Sequence, residues 1–290
     1  MRLFVFGAGY SGRAIAGELA GRAEWAGGTS RSADKFAALE RNGLDPFLFD
    51  GDRISPELAA ALARVTHLVQ SIAPDEEGDP LLRISGSGLK GLMPNLQWVG
   101  YLSTVGVYGD HDGAWVDEET ACKPVSRRSV DRLQAETAWL EASEKSAVPV
   151  AILRLSGIYG PGRNAFVNIG RGRARRLVKP GQVFNRIHVS DIAGASAHLI
   201  AEQTGGIWNV TDDLPAPPQD VVLYACELMG VEPPPEIDFD TADLSPMARS
   251  FYGECKRVSN RKLKESGYQF RYRDYRSALE ALWRDGNWAA

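Results

Sequence analysis

The chain has 290 residues, a formal net charge of −4, 44% hydrophobic residues and 24% charged residues. This is the balance of an ordinary globular protein; the acidic net charge gives no basis for a nucleic-acid or anionic-membrane partner, and no apolar run is long enough to span a bilayer. Cys122, Cys226 and Cys255 form neither a disulfide framework nor a Cys-x-x-Cys pair, and His67, His111, His188 and His198 lack metal-ligand spacing, so no metal site is expected. With no signal-peptide pattern ahead of the first predicted strand, a cytoplasmic location is expected.

Residues 1–6 form a short apolar run of β-favouring residues, and Gly7-Ala8-Gly9-Tyr10-Ser11-Gly12 follows at once. Arg13 to Ala20 reads as a helix. Strand, glycine turn and helix form the context in which G-x-G-x-x-G signals dinucleotide binding. Gly7 permits the tight turn, Gly9 lets backbone approach a pyrophosphate, and Gly12 brings the helix close to the strand. The backbone around Tyr10 and Ser11 then offers N–H groups to phosphate at the helix N-terminus. The bland alternative is a glycine-rich turn in an unrelated sheet protein.

Trp25–Thr29 occupies the place of a second strand. Ser32–Leu39 reads as a helix capped by Ser32, and Pro46–Phe49 as a third strand. Ser55–Ala63 reads as a helix with Ser55 as cap and Pro56 in its first turn. Val65–Ser71 and Trp98–Ser103 are the fourth and fifth strands. A long helix runs from about Ser126 to Glu144, and Val148–Leu155 is the sixth strand. Ile187–Ile192 starts another helix running to about Ala201, and Ile207–Val210 is a seventh strand. This alternation predicts an α/β fold, a Rossmann-type doubly wound parallel sheet of about seven strands with a smaller C-terminal substrate lobe. The predicted division gives residues 1–160 and 186–212 to the nucleotide-binding domain and residues 161–185 and 213–290 to the substrate lobe. The cleft between them is the default binding site. His67 and His198 fall inside apolar elements and read as packed residues.

In such a fold the residue ending the second strand, about 20 positions past the glycines, meets the adenosine ribose. Here that residue is Arg31, flanked by Ser30 and Ser32, with Lys35 one turn on. No carboxylate is present to repel a 2′-phosphate, and a guanidinium pairs bidentately with one, so NADP is favoured over NAD. The alternative is a solvated surface arginine. Asp50, after the third strand, is placed to accept from the adenine amine. Ser71, Ile72 and Ala73, after the fourth, are placed under the pyrophosphate and nicotinamide ribose, because ligands bind at the carboxyl ends of the strands.

Three segments carry a family resemblance: Leu102–Gly109 (Leu-Ser-Thr-Val-Gly-Val-Tyr-Gly), Ile152–Arg163 (Ile-Leu-Arg-Leu-Ser-Gly-Ile-Tyr-Gly-Pro-Gly-Arg) and Ile187–Ala193 (Ile-His-Val-Ser-Asp-Ile-Ala). With the glycine loop they resemble the extended short-chain dehydrogenase/reductases of the NAD(P)-dependent epimerase/dehydratase group over roughly residues 1–210. The Gly-x-Gly-x-x-Gly loop departs from the Gly-x-x-Gly-x-x-Gly usual there and is similar to the atypical branch. The resemblance implies a substrate-positioning hydroxyl after the fifth strand, which Thr104 matches, and Tyr-x-x-x-Lys on the following helix. With Glu136 fixing the register, Arg132 stands at the lysine position and Arg128 at the tyrosine position. Arg132 can supply the lysine's positive charge. Arg128 cannot cycle a proton as a phenol does, because guanidinium stays protonated; it can bind an anion or a developing oxyanion. The helical spacing places Arg128 and Arg132 on one side, beside Thr104.

Arg163, Arg171, Arg173, Arg175, Arg176 and Lys179 read either as a substrate-phosphate site or as a solvated face. Asp110–Glu119 reads as a surface loop or lid around Trp115. The resulting expectation is an NADP(H)-dependent oxidoreductase or epimerase/dehydratase-like protein acting on a small anionic or nucleotide-sugar substrate. The alternative is an NADP(H)-binding redox sensor without turnover. The resemblance also implies a homodimer.

Overall fold

The apolar runs become strands of one sheet. The computed structural model describes residues 1–86 and 88–289. In it, β1 (Arg2–Phe6), β2 (Trp25–Ser30), β3 (Asp45–Leu48), β4 (His67–Gln70), β5 (Trp98–Thr104), β6 (Val150–Leu155) and β7 (Gly206–Val210) form a seven-stranded sheet in the order β7-β6-β5-β4-β1-β2-β3. Strand β1 pairs in parallel with both β2 and β4, with Leu3 opposite Ala26 on one side and His67 on the other. The order doubles back at β1, so the carboxyl ends of β1 and β4 border the topological switch point where ligands bind in such sheets.

The helices between the strands are α1 (Tyr10–Leu19), α2 (Phe36–Glu40), α3 (Pro56–Leu62), α4 (Pro80–Ile84), α5 (Leu89–Leu92), α6 (Arg127–Ser146) and α7 (Val189–Ala201). Ser55 caps α3 as its sequence predicts, accepting from the Leu58 N–H at 3.1 Å, and Pro56 sits in the first turn where a missing N–H costs nothing. Asp79 caps α4 and Ser126 caps α6 in the same way.

Three local expectations change. The helix predicted from Ser32 is split into a 3₁₀ turn, Ala33–Lys35, and α2. Ser32 does not cap it, because its hydroxyl is engaged by Asp34. Ile187 and His188 are not helical; Arg186–His188 is a strand paired with Gly157–Tyr159, and α7 begins at Val189. Trp115 lies in a two-residue strand, Trp115–Val116, paired with Arg257–Val258, so a distant segment fixes part of the predicted loop.

The chain forms two compact units. The first comprises Met1–Val107, Pro124–Arg154 and Ile192–Trp208, and the second comprises Tyr108–Lys123, Leu155–Asp191 and the chain from Asn209 onward. The first unit packs Phe4, Phe6, Leu68, Val99, Tyr101 and Trp139 into its core, with the Tyr101 and Trp139 rings stacked at 5.9 Å. Beside this core lies a buried ionic network. Arg154 Nη2 donates to Glu136 Oε2 at 2.8 Å, Arg154 Nε bridges both Glu136 oxygens at 3.2 Å, and the Ser103 hydroxyl donates to Glu136 Oε1. The network ties β5, α6 and β6 together. Replacing Glu136 with Ala strands a buried guanidinium and is expected to cost about 3–5 kcal/mol in denaturant unfolding. A loss below about 1 kcal/mol would show that Arg154 finds solvent instead.

The second unit has one core around Phe166, Tyr275 and Leu279, and another around Leu177, Phe239 and Tyr252. Two buried groups in it titrate far from their ordinary values. Burial pushes the Asp212 carboxyl from 3.8 up to about 8, against a hydrogen bond from the Leu214 N–H and the charge of Arg186. Burial, with the positive charge of Arg271, pushes His188 from 6.5 down to about 4. The stability tied to the Asp212 proton is complete below the unfolded value and is lost as pH rises towards 8. The His188 contribution runs the other way: it is complete above 6.5 and is lost as pH falls towards 4. Between about pH 6.5 and 8 Asp212 therefore acts alone of the two. Stability of this unit should fall there by about 1 kcal/mol per pH unit. Asp212→Asn should flatten that limb of a pH series of denaturation curves.

Candidate functional site

The glycine turn can be tested position by position against packing. Gly7 has φ +75°, and a Cβ on it would lie 2.9 Å from Ile72 Cγ1 and 3.2 Å from the Ile72 nitrogen. A Cβ on Gly12 would lie 2.8 Å from Val5 Cγ1. The fold itself therefore needs glycine at both positions. Gly9 is different: its φ of −80° suits any residue, and a Cβ there would meet nothing nearer than the Gly7 oxygen at 3.8 Å. Gly9 faces a cavity of about 500 Å³, and packing does not account for its being glycine.

The loop is clamped to β2. The Gly7 N–H donates to Thr29 Oγ1 at 2.8 Å, and the Ala8 N–H donates to the Thr29 carbonyl at 2.9 Å. Thr29 was not among the predicted residues, although its place at the end of β2, beside the loop, was the available signal. Beyond Thr29, Ser30, Arg31 and Lys35 line the cavity from the β2 side, and Phe49, Asp50 and Asp52 from the β3 side. Ile72, Ala73 and Asp75 come from the end of β4, and Pro80 and Arg83 from α4.

Of the residues predicted from sequence, Gly7, Gly9, Ser30, Arg31, Asp50, Ile72 and Ala73 share this cavity. Gly12 is at the helix–strand contact, and Ser11 is buried. Tyr10, Ser32 and Ser71 are not in the cavity lining. The Asp52 N–H donates to Asp50 Oδ1 at 3.1 Å and holds the Asp50 carboxyl below its usual range, so it stays an ionised acceptor at neutral pH.

The other predicted group lies at the end of β5. Thr104 Oγ1 accepts from the Gly106 N–H at 3.1 Å. Arg132 Nη1 donates to the Leu102 carbonyl at 2.7 Å and to the Tyr101 hydroxyl at 3.2 Å, and the guanidinium lies 5.5 Å from the Tyr101 ring centre. Arg132 is thus fixed at the strand end.

Arg128 does not join it. Its side chain is exposed and makes no hydrogen bond or ion pair among the described residues. The α6 residue turned towards the segment after Thr104 is Ser129, which is 8% exposed. A Cβ on Gly106 would lie 3.0 Å from Ser129 Oγ and 3.4 Å from Thr104 Oγ1. The four-residue spacing from Arg132 led to Arg128, but residues three apart are also neighbours on a helix, and the inward face here is Ser129–Arg132. The result is the Thr104 and Ser129 hydroxyls and the Arg132 guanidinium at the end of β5, with the Tyr101 phenol buried against the guanidinium. They can orient a carbonyl or an anion; burial pushes the Tyr101 phenol up, so none of these groups exchanges a proton readily near neutral pH.

A doubly wound parallel sheet, with a glycine turn opening α1 and a cavity at the carboxyl ends of β1 and β4, defines a Rossmann-type α/β protein. The model of the NAD dependent epimerase/dehydratase family matches residues 94–211 of the chain. A functionally unknown conserved protein from Silicibacter pomeroyi is 47% identical, with a TM-score of 0.88 over 98% of this chain and 99% of that one. A putative NAD-dependent epimerase/dehydratase from Methylobacillus flagellatus is 29% identical, with a TM-score of 0.74 over 98% of each chain. Protein YeeZ of Escherichia coli is 29% identical over 252 residues, which cover 80% of this chain and 85% of YeeZ.

The contacts at Gly9 and Gly12 lead to a stability difference that needs no ligand. Gly12→Val overpacks the Val5 contact and should lower stability by about 1–3 kcal/mol. Gly9→Val should leave the unfolding midpoint close to native. Equal losses in the two variants would mean that Gly9 is also held by packing.

Proposed function

We propose that the chain binds NADP(H) in the cavity of the first unit. The observation that carries this reading is Gly9, a cavity-lining glycine for which the packing gives no reason. A pyrophosphate over Gly9 and the start of α1 gives one, because the phosphate oxygens fill the space that a side chain would take. Arg31 and Lys35 then supply charge for a 2′-phosphate, and the ionised Asp50 accepts from the adenine amine. The nicotinamide supplies hydride donation or acceptance when it is bound.

For the use made of that cofactor, the geometry favours a redox sensor that reads the NADP pool without turnover. Arg128 is exposed, and Ser129, not an acid–base group, faces Thr104. A second reading, favoured by the family-model match over residues 94–211 and by Thr104, is an oxidoreductase or epimerase/dehydratase-like enzyme. In it Thr104 and Arg132 orient a small anionic or nucleotide-sugar substrate.

Fluorescence titration should show NADPH binding more tightly than NADH. Loss of Arg31 as Ala should remove a charge-assisted contact of roughly 1.5–3 kcal/mol, or about ten- to a hundredfold in affinity. Equal affinities in the native protein would defeat the NADP assignment. Gly9→Val, still folded, should bind neither cofactor. A screen of aldehydes, ketones and sugar nucleotides, read at the nicotinamide absorbance, should show no turnover if the sensor reading holds. Turnover lost in Thr104→Ala with NADPH affinity kept would establish the enzyme reading instead.

A further inference from the structure

Arg83 is a cavity residue to which the binding scheme above gives no role. It projects from α4 and lines the same cavity as Gly9 and Arg31, and its side chain is 28% exposed. Its Nη1 donates to Asp75 Oδ1 at 2.9 Å and lies 3.3 Å from Glu77 Oε2. Its Nη2 and Nε make no hydrogen bond among the described residues.

Asp75 and Glu77 belong to a tight turn after β4. The turn is closed by paired backbone hydrogen bonds between Asp75 and Gly78, at 3.1 and 3.2 Å, with Gly78 at φ +102°. Between them, Glu76 reaches Arg127 of α6 at 3.4 Å. The acidic turn is therefore held from two sides: by Arg83 at the cavity and by Arg127 away from it.

An exposed ion pair of this kind is weak. Asp75 and Glu77 engage only Nη1, whereas phosphate oxygens match the whole guanidinium fork and can take Nη2 and Nε as well. We propose that Arg83 is a second phosphate ligand of the nucleotide cavity, held by the Asp75–Gly78 turn until a nucleotide phosphate displaces Asp75 and Glu77. The inference rests on nucleotide binding at this cavity. The phosphate is either the 2′-monoester or the pyrophosphate. Both offer non-bridging phosphate oxygens to a guanidinium, and the ligands chosen for the test separate them.

The test is isothermal titration of the full-length protein with NADPH, NADH, 2′-AMP and ADP. Arg83→Gln should weaken NADPH about tenfold through loss of a charge-assisted pair. If the 2′-phosphate is the partner, 2′-AMP binding weakens equally and NADH and ADP hold. If the pyrophosphate is the partner, NADH and ADP weaken and 2′-AMP holds. The double variant Asp75→Asn with Glu77→Gln frees Arg83 and should tighten the same ligands about three- to tenfold. Arg127→Gln removes the other hold on the turn and should leave affinities within about twofold. A purely structural role of the turn would instead make Arg127→Gln and the double variant act alike, and that result overturns the proposal. Native protein that binds NADPH with no change in Arg83→Gln refutes this inference alone. Native protein that binds none of the four ligands refutes both this inference and the nucleotide reading beneath it.

Discussion

The cavity depends on how closely α1 and the β4 end approach the turn after β1. Val5 and Ile72 stand where Cβ atoms on Gly12 and Gly7 would be. With those contacts made, α1 lies against β1. The Thr29 hydroxyl then takes the Gly7 N–H, which joins the loop to β2. The position of Arg31, two residues further along, follows from that clamp. A larger residue at Gly7 or Gly12 would displace the loop and the strand ends it joins.

The end of β5 depends on a different kind of constraint. Glu136, Arg154 and Ser103 form a buried charged network, and Arg132, one turn before Glu136 on α6, is bound to the Leu102 carbonyl. Burial makes such a network costly to break and of little net benefit to form, so its value lies in specifying which helix face meets which strand. It sets the rotation of α6. That rotation turns Ser129 inward and leaves Arg128 exposed.

The legible parts of the sequence were those governed by local rules. The glycine spacing, the Ser55 cap and the alternation of strands and helices each state a backbone geometry within a few residues, and the seven-stranded sheet follows from their order. That Arg31 and Asp50 line the cavity was legible because ligands in this topology bind at the strand ends. Arg128 was misplaced because both three- and four-residue spacings put residues on one helix face. The choice between them is made by Glu136 and its partners on β5 and β6, which lie far off in sequence. Arg83 and Asp75 were not legible for the same reason: one arginine on a short apolar helix and an acidic turn look like ordinary surface until the β4 end brings them to the cavity.

Among the described residues, Trp115 and Val116 form their ladder with Arg257 and Val258. The second unit is assembled from chain segments interrupted by the first, and this pairing joins its earliest segment to its last. On a ribosome, which delivers the chain from its N-terminus at about 5–20 residues per second, the β1 to β4 part of the sheet can form early. The Trp115 strand must wait, unpaired and with its indole 61% exposed in the finished fold, until the partner segment emerges. Long-range closure of this kind is slow compared with local pairing. The second unit thus cannot close this ladder until the chain around Arg257 has been made.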